Sequence, residues 1–333
     1  MNLGNLGQAV TGKEIFDLIH DDLTRVEKEI SLETVASVEV VTQIGQYLQE
    51  SGGKRLRPSL LLLASKLIGD GGESAIRLGA VVEIIHAATL VHDDVIDDAR
   101  TRRGRPSANV RWGNHTSVLA GDWLYMEAFQ VALRERNFRV LDLLIGLTQM
   151  MVEGELLQLE RIGAIEVTEA DCMELVDRKT ACLFSVCAKL GALVAGADLQ
   201  TEERLGDYAW NLGMAFQLVD DLLDFTSRET VLGKPVGNDL REGKVTLPLV
   251  YALEQASGEE RRRVETILRE RSYDGVPFSQ ILSMVERYQG IARVKDRAQA
   301  FTEKARGIIS EFPESPYQRA LYSVTELVTE RDH

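Results

Sequence analysis

The chain has 333 residues, a formal charge of −14 at pH 7 and only 6% aromatic residues. The net negative charge excludes nucleic acid as a general partner, because proteins of that class present basic surfaces. The three cysteines, Cys172, Cys182 and Cys187, lack zinc-type spacing and indicate free thiols in the reducing cytoplasm.

We expect no targeting signal in this chain and no linker that divides it. The N-terminus has no basic start followed by an apolar core, and no stretch reaches the roughly 18 uncharged apolar residues that would span a bilayer. Peripheral contact with a membrane stays open. Because no Pro/Gly/Ser-rich linker interrupts residues 1–333, we predict one domain, with residues 1–10 loose. Repeated apolar residues at helical spacing, without alternating Val/Ile/Thr runs, predict an all-α fold.

The first predicted helices run from about residue 11 to 30 and from about residue 35 to 50. After a Gly-Gly pair, Lys54 and Arg57 precede Pro58 at the start of a third helix, where proline is favoured. Free N–H groups at a helix start attract anions, so Lys54 and Arg57 form a candidate anion site. An ordinary basic helix start is the alternative interpretation.

The next helix, predicted over residues 73–98, is apolar on most sides and ends in a group of acids. Asp93, Asp94 and Asp97 form what we call the first acid triplet. Asp93 and Asp97 are four residues apart and therefore share one helical face. Carboxylates in apolar surroundings must be paired, protonated or bound to a cation, so this helix is a candidate metal site.

A polar loop, residues 100–106, follows directly and carries four arginines. Guanidinium groups suit phosphate, which makes Arg102 and Arg103 candidate phosphate ligands beside the acids. A solvated surface run is the alternative. Further helices are predicted over residues 115–135, 138–162 and 168–195. Lys179 interrupts the apolar centre of the last one, either as a functional amine or as a side chain that extends to solvent.

The spacing of the first triplet returns in a helix predicted over residues 201–226. Asp220, Asp221 and Asp224 form the second acid triplet, and Gln217 lies three residues before Asp220 on the same face. A glycine-rich segment, residues 232–244, then carries Lys234 and Lys244 and is expected to be a mobile loop that closes over a site. The remaining predicted helices are amphipathic, and we interpret them as helices that serve packing: residues 259–271, 277–288, 291–312 and 316–331.

Six aspartates without a matching His/Cys set favour Mg²⁺ over zinc. Mg²⁺ bridged between two acidic helices holds a diphosphate, and nearby Arg and Lys side chains take up the remaining negative charge. The alternative is two acidic helix ends exposed to water. His86 lies seven residues, or about two turns, before Asp93 and is expected on the same face.

On these residues the chain resembles the trans-isoprenyl diphosphate synthase family over nearly its full length. The resemblance is carried by residues 52–58, His86, the first triplet with Arg102 and Arg103, Lys179-Thr180, residues 217–224, and Lys234 with Lys244. It implies the isoprenoid synthase fold, an all-α fold of ten or more helices around a deep central cavity, in a homodimer.

The resemblance also implies a site. The catalytic set is Asp93, Asp94, Asp97, Lys179, Gln217, Asp220, Asp221 and Asp224, and three Mg²⁺ are held through Asp93, Asp97 and Asp220. Isopentenyl diphosphate is implied to bind Lys54, Arg57, His86 and Arg103. The allylic diphosphate is implied to contact Arg102, Lys179, Thr180, Gln217, Lys234 and Lys244. The implied reaction is ionisation of the allylic diphosphate, attack by the isopentenyl double bond and loss of a proton.

Three alternatives stay open at this point. A class I terpene cyclase is disfavoured, because its second motif needs Ser or Thr at the position of Asp224 and Glu at that of Arg228. A non-catalytic subunit of a hetero-oligomeric synthase is disfavoured because this chain keeps all six aspartates, although a catalytic chain can still need a partner. A shorter-chain synthase, making C15 or C20 products, is the third.

Product length is expected to depend on Ala88 and Thr89, just before the first triplet. Both side chains are small, whereas bulky aromatics at these positions end chain growth early in the family, so the resemblance implies a product of about C30 to C50. At 100° per residue Thr89 stays near the Asp93 face and Ala88 turns away, which favours Thr89. Close helix packing is the alternative reason for small residues here. Val82 or Ile85, which lie deeper along the helix, are alternatives for the floor residue that stops the growing chain.

Overall fold

The computed structural model describes residues 12–53, 55–226 and 236–329, and the structural statements below concern these residues. It confirms the predicted all-α fold. Apart from one hairpin of two-residue strands, the regular structure of the described ranges is helical.

The helices in chain order are α1 (Gly12–Asp17), α2 (His20–Glu33), α3 (Glu39–Glu50), α4 (Leu56–Ile68), α5 (Gly72–Ile96), α6 (Ala108–Trp112), α7 (Asn114–Ala132), α8 (Phe138–Arg161), α9 (Glu169–Val176), α10 (Cys182–Val194), α11 (Leu199–Thr226), α12 (Asn238–Glu242), α13 (Leu247–Leu253), α14 (Gly258–Glu270), α15 (Phe278–Arg287), α16 (Gly290–Ser310) and α17 (Pro316–Thr329). Strands β1 (Thr101–Arg102) and β2 (Arg105–Pro106) form the hairpin. A 3₁₀ turn, Leu133–Glu135, follows α7.

Helices α5 and α11, which carry the two acid triplets, are central to the packing. Helix α5 contacts α2, α4 and α7, and α11 contacts α10 and α16. Leu78, Val81 and Ile85 of α5 are completely buried. One cluster of buried hydrophobic residues includes members from Ile15 to Val328, so burial of apolar surface joins nearly the whole described chain. The two acidic helices are therefore held by a common core.

Small residues set the distance between several of these helices. A Cβ added at Gly191 of α10 would lie 2.2 Å from the carbonyl oxygen of Leu61 in α4. The same addition at Gly121 of α7 would lie 2.3 Å from the His92 ring in α5. Since no real contact is that short, these glycines allow α10 and α7 to approach their neighbours closely.

One helix bears on the expectation about bilayer-spanning segments. Within the described residues, α5 is long and apolar enough to cross a membrane by length and composition. Most of that stretch is buried inside the protein, as in the core helix of many globular folds. Its hydropathy therefore reflects its central position.

Long helices agree with the sequence prediction to within a few residues, but three local features differ. The first helix breaks at Leu18 and Ile19, where the chain bends and still buries Ile15 and Ile19. The helix predicted over residues 168–195 contains a π-helical turn, Asp177–Ala181, between α9 and α10. Residues 100–106, predicted as a loop, form the β1–β2 hairpin.

The hairpin has a local cause in its turn residues. Arg103 and Gly104 have φ angles of 51° and 75°, and a two-residue hairpin turn of this kind requires positive φ at both central positions. Glycine adopts that conformation without strain, whereas Arg103 does so at some cost. The turn therefore holds Arg103 in one defined place.

Candidate active site

A cavity of about 720 Å³ is lined by residues of α4, α5, α7, α8, α9, α11 and α12, of the hairpin and the π-helical turn, and of the segment after α12. Four carboxylates from the two triplets line it: Asp93, Asp97, Asp220 and Asp221. The fold thus brings both acid motifs, which are more than a hundred residues apart in the chain, to the same cavity. We call this space the central cavity.

In the first triplet, Asp93 and Asp97 face the central cavity and Asp94 does not line it. Burial raises the pKa of Asp93 to about 6, against the opposing charge of Lys179. Asp94 is 1% exposed, and its Oδ1 accepts hydrogen bonds from Arg102 Nε at 2.7 Å and Nη2 at 2.7 Å. The triplet therefore points in two directions, with Asp94 turned to the hairpin.

The second triplet also has two acids that line the central cavity, here its first and second members. Asp221 accepts a hydrogen bond of 2.9 Å from the amide nitrogen of Gln217, whose oxygen accepts one of 2.8 Å from Thr180. Burial, with the negative charge of Asp239, raises the pKa of Asp221 well above its usual range. Asp224 does not line the central cavity and is 1% exposed. Its carboxylate accepts from backbone N–H groups at the start of α12.

Two lysines, Lys179 and Lys244, line the central cavity. Lys179, on the π-helical turn, donates to Gln158 at 3.0 Å and forms an ion pair with Glu155, both on α8. π-helical turns occur often at functional sites, where they redirect a side chain. Lys244 pairs with Asp97. Two further lysines of the sequence prediction, Lys54 and Lys234, lie outside the described residues, as do residues 1–10 and the first four residues of the predicted mobile loop, 232–235. The rest of that predicted loop, residues 236–244, is described and includes the short helix α12.

A cationic corner adjoins the first triplet and consists of Arg57, His86 and Arg103. Arg57 and His86 line the central cavity, and His86 and Arg103 line a small adjoining pocket. Burial lowers the pKa of Arg57, and burial together with the charges of Arg57 and Arg103 holds the pKa of His86 well below its usual range. The Nε of Arg57 is buried and lacks a hydrogen-bond partner. Such a corner suits an anion, which would satisfy this donor and offset the crowded positive charge.

The rest of the cavity wall is largely apolar. Thr89 lines the cavity, whereas Ala88 is completely buried in the core, as the helix geometry predicts. Val82 and Ile85, the alternative floor residues, are buried in the core and are absent from the cavity lining. The apolar lining includes Val95, Met151, Leu156, Val176 and Phe216. A hydrocarbon chain therefore has an apolar space beside the carboxylates.

Three residues that line the central cavity were not predicted from the sequence. Glu155 and Gln158 lie in an otherwise ordinary amphipathic helix, where an acid and an amide three residues apart are too common to signal a site. Asp239 lies in the segment that was predicted to be a mobile loop and lines the cavity beside the second triplet. Only the long-range approach of α8 and α12 to the triplets reveals these three residues.

The donor set fits Mg²⁺ when a phosphate ligand completes it. In the described ranges, no three His, Cys, Asp or Glu side chains stand close enough to hold a metal ion by themselves. Mg²⁺ commonly binds through one or two carboxylates, with water and substrate phosphates in the other positions. The raised pKa values of Asp93 and Asp221 indicate negative charge that a cation would stabilise.

Comparison with known proteins gives consistent results. The model of the family described as polyprenyl synthetase matches residues 38–285. The chain is 36% identical over 320 residues to an octaprenyl diphosphate synthase from Haemophilus influenzae, covering 96% of this chain and 97% of that protein. It is 34% identical over 326 residues to a short chain isoprenyl diphosphate synthase from Methanothermobacter thermautotrophicus, covering 96% and 99%.

A solved structure has the same fold. The crystal structure of a polyprenyl synthase from Caulobacter crescentus, complexed with calcium and isoprenyl diphosphate, superposes with a TM-score of 0.92. The two chains are 33% identical, and the match covers 98% of this chain and all of that one. The predicted isoprenoid synthase fold is thereby confirmed.

Proposed function

Because the chain belongs to the polyprenyl synthetase family, we propose that it joins an allylic prenyl diphosphate to isopentenyl diphosphate, head to tail and with trans geometry. We take residues 1–333 as one synthase domain that acts in the cytoplasm. The observation that carries the proposal is the central cavity, where carboxylates of both triplets stand beside an apolar wall. A diphosphate headgroup and a hydrocarbon tail need these two environments in one space.

The allylic diphosphate is assigned to the acidic side of the cavity. Asp93, Asp97 and Asp220 would hold Mg²⁺, and the ion would bind the diphosphate and make it a better leaving group. Lys179 and Lys244, already within the cavity, supply positive charge for the remaining phosphate oxygens. Arg102 lines the same cavity and is held by Asp94.

Isopentenyl diphosphate is assigned to the cationic corner. Arg57, His86 and Arg103 offer donors to an anion, and Lys54 precedes Arg57 in the sequence. This division places the uncharged double bond of isopentenyl diphosphate towards the allylic carbon. The positive charge of the corner also disfavours binding of a second Mg²⁺-bound headgroup there. This difference in charge directs the two substrates to separate sites.

The reaction needs no protein nucleophile. The allylic C–O bond breaks, and diphosphate departs with the bonding electrons. The isopentenyl double bond supplies the electron pair of the new C–C bond, and the resulting cation loses a proton, which the departing diphosphate accepts. The amide oxygen of Gln217, which accepts a hydrogen bond of 2.8 Å from Thr180, is assigned to stabilise the allylic cation. The apolar wall excludes water, which would otherwise capture that cation.

We propose a product of about C30 to C50, since Thr89 leaves the wall next to the first triplet open. A shorter-chain product is the alternative, and relatives with either kind of name are nearly equally similar.

The assembly is proposed to be a homodimer through α7 and α8. Exposed apolar residues recur on these helices at helical spacing: Leu119, Met126, Ile145, Val152 and Leu156. Val152 and Leu156 also line the central cavity, so a second copy would cover this wall. Obligate dimer interfaces are apolar in this way. A synthase that needs a different partner chain is the alternative. Light scattering tests the proposed surface: the wild type is expected to be a dimer and Met126→Lys a monomer.

Mass analysis of products tests the proposed function. The purified chain is incubated with farnesyl diphosphate and isopentenyl diphosphate, with Mg²⁺ or with EDTA. We expect a series of prenyl diphosphates that grows by C5 units and ends at one main length, with Mg²⁺ only. Cyclised hydrocarbons would favour a terpene cyclase, and absence of turnover by the chain alone would favour a partner-dependent synthase.

A further inference from the structure

Each acid triplet has one carboxylate that does not line the central cavity, the second acid in the first triplet and the third acid in the second triplet. Asp93, Asp97, Asp220 and Asp221 line the central cavity, whereas Asp94 and Asp224 do not. Asp94 and Asp224, which do not line the cavity, are also the most buried acids of the two triplets, each at 1% exposure. A buried carboxylate is costly unless it is hydrogen-bonded, so each of the two needs a structural reason.

Asp224 holds the segment that leads to Lys244. Its Oδ1 accepts from Asn238 N at 3.2 Å, its Oδ2 accepts from Asp239 N at 3.2 Å, and its main-chain oxygen accepts from Gly237 N at 2.9 Å. These three contacts fix the start of α12 on α11. With each carboxylate oxygen engaged by a backbone donor, Asp224 binds the protein's own chain.

The other end of the same segment presents the cation. Lys244 N donates to Asp239 O at 2.8 Å, and its Nζ lies 3.1 Å from Asp97 Oδ2 and 2.8 Å from Glu242 Oε2. Hydrogen bonds therefore run from Asp224 through Asp239 to Lys244, and from Lys244 to the first triplet. A shift of α12 would move Lys244 away from Asp97.

Asp94 holds the hairpin in a parallel way. Its Oδ1 accepts twice from Arg102, and its main-chain oxygen accepts from Asn109 Nδ2 at 3.0 Å and from Ala99 N at 2.9 Å. Arg102 pairs across the hairpin with Arg105, and the turn between them carries Arg103. The hairpin is thus attached to α5 at Asp94, and its tip carries Arg103 of the cationic corner.

We propose that one carboxylate of each triplet, Asp94 in the first and Asp224 in the second, is a positioning residue that fixes the segment bearing the next cation. Metal binding is left to the carboxylates that line the cavity. The inference rests on the proposed function only for the identity of the anion that those cations bind. The attachment of the two segments is a property of the protein without substrate.

Hydrogen–deuterium exchange of the purified full chain, without metal or substrate, tests the attachment. Asp224→Asn replaces one acceptor oxygen by a donor, so we expect exchange of residues 236–244 to become about 10-fold faster. Asp94→Asn is expected to do the same for residues 100–107 and to leave 236–244 unchanged. Asp220→Asn, on the same helix as Asp224, is the matched control and should alter neither segment. Unchanged exchange in both segments for both positioning variants would overturn the proposal.

Binding of Mn²⁺ alone, followed by electron paramagnetic resonance, separates positioning from ligation. Asp220→Asn is expected to weaken Mn²⁺ binding by about 10-fold, and Asp224→Asn and Asp94→Asn to leave it within about threefold. A loss for Asp224→Asn as large as that for Asp220→Asn, with normal exchange, would make Asp224 a ligand and overturn its assigned role. Neither measurement needs turnover, so failure of the proposed function would leave both results interpretable.

A double-mutant cycle then tests the route through Lys244. The KM for the allylic diphosphate is measured for Asp224→Asn, Lys244→Gln and the double variant. If Asp224 acts through Lys244, its substitution adds little in the Lys244→Gln background, whereas independent roles would multiply to within about twofold. Asp224→Glu retains the charge and both oxygens, so partial rescue of KM is expected. If circular dichroism shows that Asp224→Asn is unfolded, Asp224→Ser, which also removes the carboxylate, replaces it in all measurements.

Discussion

Lys244 donates to both carboxylate oxygens of Asp97, at 3.2 and 3.1 Å, and so pairs a cation that follows the second acid triplet with an acid of the first. Burial acts against the charge of Lys244, but Asp97 and Glu242 outweigh it and raise the pKa of the amine. Lys244 is therefore charged at neutral pH and occupies a carboxylate that we assign to metal binding.

The first prediction concerns this ion pair. Lys244→Gln frees Asp97, so binding of Mn²⁺ alone is expected to strengthen by about 3- to 10-fold, because the competing cation is removed. The KM for the allylic diphosphate is expected to rise, since the same lysine is assigned to its phosphate. Lys244→Arg retains the charge and is the control. Equal Mn²⁺ affinity in Lys244→Gln and the wild type would show that the ion pair does not compete with metal.

The second prediction concerns stability and pH. The pKa of Asp93 is raised from 3.8 to about 6, so the folded protein disfavours the ionised form. At low pH Asp93 is protonated in both the folded and unfolded states and costs nothing; above pH 6 it is ionised in both, and the folded state is destabilised by up to about 3 kcal/mol.

Without metal, Asp93→Asn should therefore raise the free energy of unfolding at pH 7.5 and have little effect near pH 4. Urea unfolding at both pH values measures this difference. Asp98→Asn is the matched control, because Asp98 is exposed and has a φ of 49°, which asparagine tolerates. A gain of equal size at both pH values would contradict the assigned cause.

The third prediction separates the two substrates. His86→Ala and Arg57→Ala each remove a phosphate donor from the cationic corner, and we expect the KM for isopentenyl diphosphate to rise by about 10- to 100-fold. The KM for the allylic diphosphate should change much less. Lys179→Gln is the reciprocal control, with the larger effect on the allylic substrate. The reverse preference in these titrations would exchange the two assignments.

Much of this arrangement follows from periodicity in the sequence. The bounds of α5, α8 and α11 were predicted to within a few residues, because long apolar patterns of period 3.6 specify a helix strongly. The four-residue spacing of Asp93 and Asp97 also correctly placed both on one face, since that spacing is a property of the helix alone.

Features that depend on contacts between distant segments were not predictable in this way. The π-helical turn that carries Lys179 packs against α11, where a Cβ at Gly213 would lie 2.7 Å from Ala181 Cα. Nothing in residues 177–181 alone signals that constraint. The different orientations of Asp93 and Asp94 follow from the turn of about 100° between successive helical residues, but the partners of Asp94 become visible only when the hairpin is in place.

The fourth prediction concerns product length. Thr89 lines the central cavity, so Thr89→Phe is expected to shorten the main product towards C15 or C20 with allylic binding retained. Ala88 is buried in the core, and Ala88→Phe should shorten the product less and destabilise the fold by about 1 to 3 kcal/mol through overpacking. Mass analysis of products and thermal unfolding distinguish the two variants. An active Thr89→Phe with the wild-type product length would remove this residue from the growing-chain path.

The central claim is that both acid triplets serve one transfer reaction in one cavity. The most direct test is the stoichiometry of that reaction, measured as diphosphate released against isopentenyl units incorporated from labelled isopentenyl diphosphate. We predict one diphosphate for each unit in the wild type with Mg²⁺, and loss of most turnover in both Asp93→Ala and Asp220→Ala, with circular dichroism unchanged. Diphosphate release without incorporation, or near-wild-type rates in either variant at saturating Mg²⁺, would contradict the account.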